Sequence, residues 1–526
     1  MDFAAVPKTR FVLAQSDFDW SAIEPTTNLS WVDCYSNYKC ARFQVPIDYS
    51  NEAGDKAAIA VIKLPAQSQT DYKGAVLMNP GGPGGSGVAD VVYAGPLFAS
   101  VIGTQYDLIS FDPRGVGNST PRAEFFLTKE ERSLWLADPN HWTAAPNTSS
   151  DQIPHLWASS HVIAEVAKER DNGILNYIGT DNVARDMLAI NEAVGHEKLQ
   201  YWGFSYGTIL GTTFATMFPD KVERMVLDGV ADVDGYYSGD WRNNFLDTDK
   251  DMQSIFDACV AAGPEACAFY APTSEEISNN LNSLYESLRA QPVPVVTPSF
   301  YGVVDYAALR TAVKYTLYRP YVYASVFAQG LAALAAGDGS IIYEMQAPVN
   351  DPSTVYDNGL EAEIAISCSD ALNNTDSLPD LLAYWDSIKG VSTFSDLLFT
   401  QMLSCTGWKF HREGSFTGPV GGNTNYPILF VGNVADPVTS IAGAKKASSA
   451  FPGSVVLTQN SSGHGSPAAS SACTQAYVQA YFQNGTLPGD GTICEIESQM
   501  FPASSNTTDQ RRAFLGRQPM TPEHIH

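Results

Sequence analysis

Short apolar runs recur along the N-terminal part of the chain: Ala57–Leu64, Ala75–Asn79, Asp107–Phe111, Leu199–Phe204 and Arg224–Leu227. Each is too short for a helix, and most are apolar on both faces, as strands covered on two sides require. Between them lie segments with helical spacing. Asn182–Val194, for instance, sets Val183, Met187, Ile190 and Val194 on one face. Strands alternating with helices predict a mainly parallel sheet sandwiched between helices. From about Gly235 to Gly421 the pattern turns largely helical, with Pro-rich breaks such as Gln291–Pro298. Alternation returns at Tyr426–Val431 and Ser454–Thr458. The expected organisation is therefore one α/β core in two parts, residues 1–234 and 421–526, split by a helical cap at 235–420. Two consecutive domains fit less well, because the residues able to carry chemistry fall on both sides of the insertion.

Gly203-Phe204-Ser205-Tyr206-Gly207 follows the run ending at Phe204 and precedes a helical stretch. A nucleophile at such a tight strand-to-helix turn needs small residues two positions to either side. The helix that follows aims free N–H groups and its positive dipole end at a developing oxyanion. Asn79-Pro80-Gly81-Gly82-Pro83-Gly84-Gly85-Ser86-Gly87 comes directly after another strand. It lacks the Lys-[Ser/Thr] ending of a phosphate-binding P-loop and the G-x-G-x-x-G spacing of a dinucleotide site. With an elbow downstream, it reads as an oxyanion loop. Tyr206 would supply one backbone donor and Gly82 the second.

A general base in this order of elements follows the nucleophile. Of eight histidines, His141, His155, His161 and His196 precede or crowd the elbow's segment, His411 lies in an expected cap-exit loop, and His524 and His526 are terminal. His464, in Ser461-Ser462-Gly463-His464-Gly465 just after a late strand, is the candidate. Asp436, in Asn433-Val434-Ala435-Asp436-Pro437 after the preceding strand, is the expected orienting acid. The intervals are 436 − 205 = 231 and 464 − 436 = 28 residues, and the first has room for a cap. Asp112 and Arg114, closing a further strand, are expected to form a buried ion pair under the site.

The net charge of −26 (57 acidic, 31 basic side chains) repels phosphate backbones, so nucleic acid is an unfavourable partner. No window approaches the ~20 apolar residues of a membrane helix. Eight cysteines are present, with Cys34/Cys40 and Cys259/Cys267 close in sequence and Cys368/Cys405 and Cys473/Cys494 as further pairs. None has the C-x-x-C spacing of a zinc site. Glycosylation sequons occur at Asn28, Asn118, Asn147, Asn373, Asn460, Asn484 and Asn506. Even cysteines and many sequons predict a secreted or secretory-pathway protein. Met1–Trp20 contains no apolar signal core, so either a signal peptide has been removed or the protein is intracellular.

Taken together, these motifs resemble the proline iminopeptidase family of α/β-hydrolases, in its tripeptidyl aminopeptidase-like branch. The resemblance runs from Phe18-Asp19-Trp20 and Cys40-Ala41-Arg42 through NPGGPGGSG, DPRGVGNS and GFSYG. It continues to Ala365-Ile366-Ser367-Cys368-Ser369-Asp370, Ala435-Asp436-Pro437-Val438-Thr439 and Gly463-His464-Gly465. It implies an α/β-hydrolase fold, with a mainly parallel central sheet and a large, mostly helical inserted cap. Ser205, Asp436 and His464 would be the triad, and the Gly82 and Tyr206 amides the oxyanion hole. Many relatives open the Gly-rich loop with His, where this chain has Pro80. Relatives with aminopeptidase activity bind a free ammonium through carboxylates near the cap. The candidates here are Asp228, Asp232, Asp234, Glu361, Glu363 and Asp370. The implied reaction is acyl transfer on a peptide or a small-molecule ester or amide, needing no metal or organic cofactor. An aminopeptidase is the first expectation, an esterase or lactonase the second, and a binding protein with a dead site the third.

Overall fold

The computed structural model describes residues 18–138, 141, 145–346, 358–372 and 376–502. One sheet holds β1 (Val32–Cys34), β2 (Tyr38–Pro46), β3 (Lys56–Leu64), β4 (Ala75–Asn79), β5 (Asp107–Phe111), β6 (Leu199–Phe204) and β7 (Val222–Asp228). A separate hairpin is formed by β8 (Val293–Val296) and β9 (Tyr301–Val304). The main sheet is completed by β10 (Leu429–Ala435), β11 (Val455–Ser462) and β12 (Ile493–Cys494). The spatial order is β1-β2-β3-β5-β4-β6-β7-β10-β11-β12. β1, β2, β3 and β5 pair antiparallel at one edge, and every pair from β5 to β12 is parallel.

Alternation along the central strands builds two cores. Ala75, Leu77, Ile109, Phe111 and Tyr201 face one apolar cluster, and Val76, Met78, Leu108, Trp202 and Phe204 face another on the opposite side. This explains the unbroken apolar runs, since each strand is covered on both faces. A further cluster lies among the residues between β7 and β10. It joins Phe245, Met252, Leu281, Leu309, Val313 and Phe327 with Val295 and Val304 of the hairpin. The helix Gly359–Asp370 instead packs Ile364, Ala365 and Ile366 into a sheet-facing core.

Several details differ from the expectations. The Pro-rich break at Gln291–Pro298 is part of the β8–β9 hairpin. β10 starts only at Leu429, after Pro427, which has no N–H to donate, and runs on to Ala435, so Asp436 stands immediately beyond it. β11 extends to Ser462, which puts His464 two residues past its end. Arg114 does not pair with Asp112. Its guanidinium grips Asp186 with two bonds of 2.6 and 2.7 Å, and also donates to the carbonyls of Pro46, Ile47 and Tyr177. Asp112 instead accepts from the Ser86 hydroxyl, the Val88 amide and the amide and side chain of Asn118. These donors, at the start of the helix Gly87–Ile102 and in the turn after β5, satisfy it without a cation. All four cysteine pairs are disulfides. Among the described residues no helix is long and apolar enough to cross a membrane.

Candidate active site

Ser205 sits between β6 and the helix Tyr206–Met217 with φ 54° and ψ −120°. This is a positive φ that side-chain-bearing residues rarely adopt, and it thrusts the hydroxyl out of the sheet. The surroundings leave no room for larger neighbours. A Cβ on Gly203 would strike the Gly207 carbonyl, and one on Gly207 would lie 2.6 Å from the Asn79 carbonyl oxygen. The turn is anchored by the Ser205 amide, which donates to the Asp228 carbonyl at 3.1 Å.

The Gly-rich loop lies against the same turn. Gly81, Gly82 and Gly84 all have positive φ, and the Asn79 side chain accepts from the Gly81 amide at 3.1 Å. A Cβ on Gly84 would collide with the Gly359 carbonyl, so the loop is pressed beneath the helix Gly359–Asp370. Among the described residues the Gly82 and Tyr206 amides donate no hydrogen bond. Both residues border the cleft that holds Ser205.

Asp436 is fully buried. It accepts from the Val438 and Thr439 amides at 3.0 and 2.8 Å, the Gly465 amide at 2.8 Å and His464 Nδ1 at 3.0 Å. Burial pushes its carboxyl up. The charge and hydrogen bond of His464, with the Gly465 and Val438 amides, more than offset this and hold it below the usual carboxylate range. The Thr439 hydroxyl also meets Nδ1 at 3.1 Å. Occupation of Nδ1 leaves Nε2 as the ring nitrogen able to take a proton. The imidazole is only 10% exposed, and its ring lies 5.2 Å from that of Tyr318. Tyr318 and Thr439, which flank the imidazole, line the Ser205 cleft together with Gly82, Ala231, Trp241 and Phe245.

The loop bearing His464 is tied to the inserted residues at three points. The His464 amide donates to the Tyr318 carbonyl at 3.0 Å, Tyr321 Oη accepts from the Ser462 amide at 3.3 Å, and the Ser462 and Ser254 hydroxyls meet at 2.5 Å.

An elbow on a parallel strand, a glycine loop beside it and an Asp–His pair on the loops after β10 and β11 accord with the comparisons. Residues 74–270 match the family model described as alpha/beta hydrolase fold, and residues 391–494 match that of TAP-like protein. The chain is an α/β-hydrolase. A tripeptidyl aminopeptidase of Streptomyces lividans is 28% identical over 500 residues, covering 89% of this hydrolase and 86% of the relative. Serine protease Hip1 of Mycobacterium tuberculosis is 27% identical over 479 residues, covering 86% and 87%. Carboxylesterase B of the same organism is 28% identical over 471 residues, covering 87% and 86%.

In this hydrolase most of the six candidate ammonium-binding carboxylates already have partners. Asp232 pairs with Lys446 at 2.6 Å and accepts from Asn243, and Asp234 meets the same lysine at 2.9 Å. Glu361 is held by Arg132 at 3.1 Å. Asp370 accepts from the Thr180 amide and hydroxyl and from Tyr236, behind Tyr206, and burial pushes it up to about 7. Asp228 holds the His464 loop, accepting from the Ser466 amide at 2.7 Å and hydroxyl at 2.6 Å, and burial pushes it up to about 6. Glu363 acts through its charge on Tyr318 and Lys314. The sequence reading missed the roles of Thr439, Tyr318, Trp241 and Phe245. Thr439 was within reach, because it stands three residues after Asp436 in the same turn. His524, His526 and the sequons at Asn373 and Asn506 lie outside the described residues.

Proposed function

We propose that the chain is a serine hydrolase of amide bonds, releasing short N-terminal units from peptides through an acyl-enzyme on Ser205. The observation that carries this reading is the Asp436–His464 pair, poised on loops beside the cleft where Ser205 lies under two unspent backbone amides. His464 Nε2 takes the hydroxyl proton as Ser205 Oγ bonds to the carbonyl carbon. The Gly82 and Tyr206 amides donate to the oxyanion. The C–N bond breaks, and the amine leaves with the proton from His464. Water then gives a proton to His464, attacks the acyl carbon and returns Ser205. Asp436 keeps Nδ1 protonated and stabilises the imidazolium. Residues 235–420 act as the cap over this cleft. Four disulfides and the exposed sequon asparagines Asn28, Asn460 and Asn484 support a secretory history.

Two of the three relatives are named as peptidases, which favours amide substrates. The third is named a carboxylesterase, so an ester or lactone substrate is the second reading. A panel of aminoacyl- and tripeptidyl-arylamides against aryl esters separates them. Turnover of free-N-terminus arylamides that vanishes on N-acetylation is expected. Ester turnover alone would favour the second reading, and a Ser205 that fails to react with a fluorophosphonate would sink both.

A further inference from the structure

One stretch that the sequence singles out, Ala365-Ile366-Ser367-Cys368-Ser369-Asp370, has no task in the acyl-transfer steps proposed above. It closes the helix Gly359–Asp370, and that helix reaches both halves of the proposed oxyanion site. At its first turn it meets the Gly-rich loop. A Cβ on Gly84, two residues past Gly82, would strike the Gly359 carbonyl and lie 2.9 Å from the Glu363 nitrogen. Asn358 anchors this end. It is fully buried, donates to the Gly115 and Ala123 carbonyls at 2.7 and 2.8 Å, and accepts from the Gly117 amide at 3.0 Å.

At its last residue the helix reaches the other half. Asp370 accepts from the Thr180 amide at 2.9 Å, the Thr180 hydroxyl at 2.5 Å and Tyr236 Oη at 2.8 Å. Threonine has one hydroxyl proton, and Asp370 receives it. In the 2.7 Å bond between Thr180 Oγ1 and Tyr206 Oη, the tyrosine is therefore the donor. Tyr206, Thr180 and Asp370 are all buried, so water does not replace a bond lost from this series. The helix end is itself held in place. Cys368 is joined to Cys405, and the Leu372 amide donates to the Tyr237 carbonyl at 2.8 Å. Tyr237 Oη in turn meets Thr213 Oγ1 at 2.7 Å, on the helix that Tyr206 opens.

We propose that Asp370 is a positioning residue for the oxyanion site: through Thr180 it fixes the Tyr206 side chain and so aims the Tyr206 amide, while the opposite end of the same helix seats the loop that carries Gly82. The inference rests on the reading of Ser205 as nucleophile with Gly82 and Tyr206 as oxyanion donors. Tyr206 is the first residue of its helix, so its amide takes no part in the helical ladder, and the side-chain tether is what restrains its direction. A donor aimed in advance needs no reorganisation as charge develops on the carbonyl oxygen. The tetrahedral intermediate leans on these donors more than the planar substrate does, so a loosened tether belongs in kcat and not in KM.

The test compares wild type with Tyr206→Phe, Thr180→Val, Thr180→Ser and Asp370→Asn on an arylamide or aryl ester that the wild type turns over. A boronic acid, whose boron adds Ser205 Oγ to give a tetrahedral adduct, reads the same site at equilibrium. Since ~1 Å of misplacement costs ~10²-fold, a shift of a few tenths of an ångström should lower kcat by roughly 3–10-fold in Tyr206→Phe, Thr180→Val and Asp370→Asn, and weaken the boronic acid by a similar factor, with KM within about twofold of wild type. Thr180→Ser, which keeps the hydroxyl, should recover most of what Thr180→Val loses. Because the residues act in series, Tyr206→Phe combined with Asp370→Asn should lose no more than the worse single variant. Fluorophosphonate labelling of Ser205, which needs no substrate, should slow in the same order. Losses that multiply, a loss confined to KM, or a Tyr206→Phe enzyme with wild-type kcat and labelling rate overturns the proposal. Tyr206→Phe removes a single hydroxyl, so it decides the matter if Asp370→Asn does not fold. A wild-type Ser205 that takes no fluorophosphonate overturns the reading of the cleft and the tether with it, whereas a reactive Ser205 indifferent to these variants overturns the tether alone.

Discussion

Gly229 offers a measurement of how closely the base must be held. It follows Asp228 with φ +66°, and a Cβ there would lie 3.2 Å from Gly465 Cα and 3.3 Å from both His464 Cε1 and Thr439 Oγ1. Gly229→Ala therefore has two separable effects. The left-handed backbone costs an L-residue about 1–2 kcal/mol. The three contacts are also tighter than ordinary van der Waals packing, so the imidazole and the Thr439 hydroxyl must yield by a few tenths of an ångström. A misplacement of ~1 Å costs ~10²-fold in rate, which scales to roughly 3–10-fold here. Gly173→Ala is the control, with φ +93° and no heavy atom within 4 Å of the added Cβ. Urea midpoints, kcat and the rate of Ser205 labelling would be read on both variants. Both should lose similar backbone stability, and only Gly229→Ala should also lose kcat and labelling rate. A Gly229→Ala enzyme with wild-type kcat, or a Gly173→Ala enzyme equally slowed, refutes the reasoning.

Asp436→Asn, which exchanges an acceptor of three amides and Nδ1 for a group with one acceptor end, should lower kcat by ~10⁴-fold. Fluorophosphonate labelling should slow with it while the circular dichroism spectrum is kept. Asp228 has its folded-state carboxyl raised to about 6, so the folded protein holds that proton more tightly than the unfolded chain. Its contribution is most favourable below an ordinary carboxylate pKa and declines as pH rises to about 6. Asp228→Asn should therefore gain stability relative to wild type between pH ~4 and ~6, by on the order of 3 kcal/mol, as read by urea titrations across that range. A gap that does not change with pH would contradict this. Arg114→Met strands Asp186 in the interior with, among the described residues, the Tyr49 hydroxyl as its one remaining side-chain partner, and should cost about 3–5 kcal/mol. Replacing both Arg114 and Asp186 with apolar residues should cost less, as measured by denaturant midpoints.

Ser205, Asp436 and His464 could be picked out because each stands in a few residues of local context at the end of a strand. That context is readable wherever an apolar run stops at a turn-former. The strands themselves were legible for the same reason: β3, β4, β5 and β6 are buried on both faces and carry few polar interruptions. β1 and β2 escaped notice, since Asp33, Lys39 and Arg42 break the apolar pattern at a partly solvated edge. The partner of Arg114 was not legible. Proximity suggested Asp112, while the structure sends the guanidinium to Asp186 on the helix Thr180–Val194, 72 residues away in the chain. The cleft wall was hidden likewise. Tyr318 and Trp241 carry no motif, and their importance arises from how the inserted helices dock. The family resemblance could nominate carboxylates near the cap, but not show that Lys446, Arg132 and Thr180 already engage three of them.

The three ties between the His464 loop and the inserted residues bear on how substrate gets in. A roof hinged freely above the sheet could swing wide without disturbing the machinery below. Here Tyr318 holds the His464 amide, and Tyr321 and Ser254 hold Ser462, so lifting those inserted residues would tug on the loop that carries His464, the proton acceptor of the proposed reaction. In the proposed reaction, admission of a bulky chain and readiness for bond cleavage would thereby exclude each other.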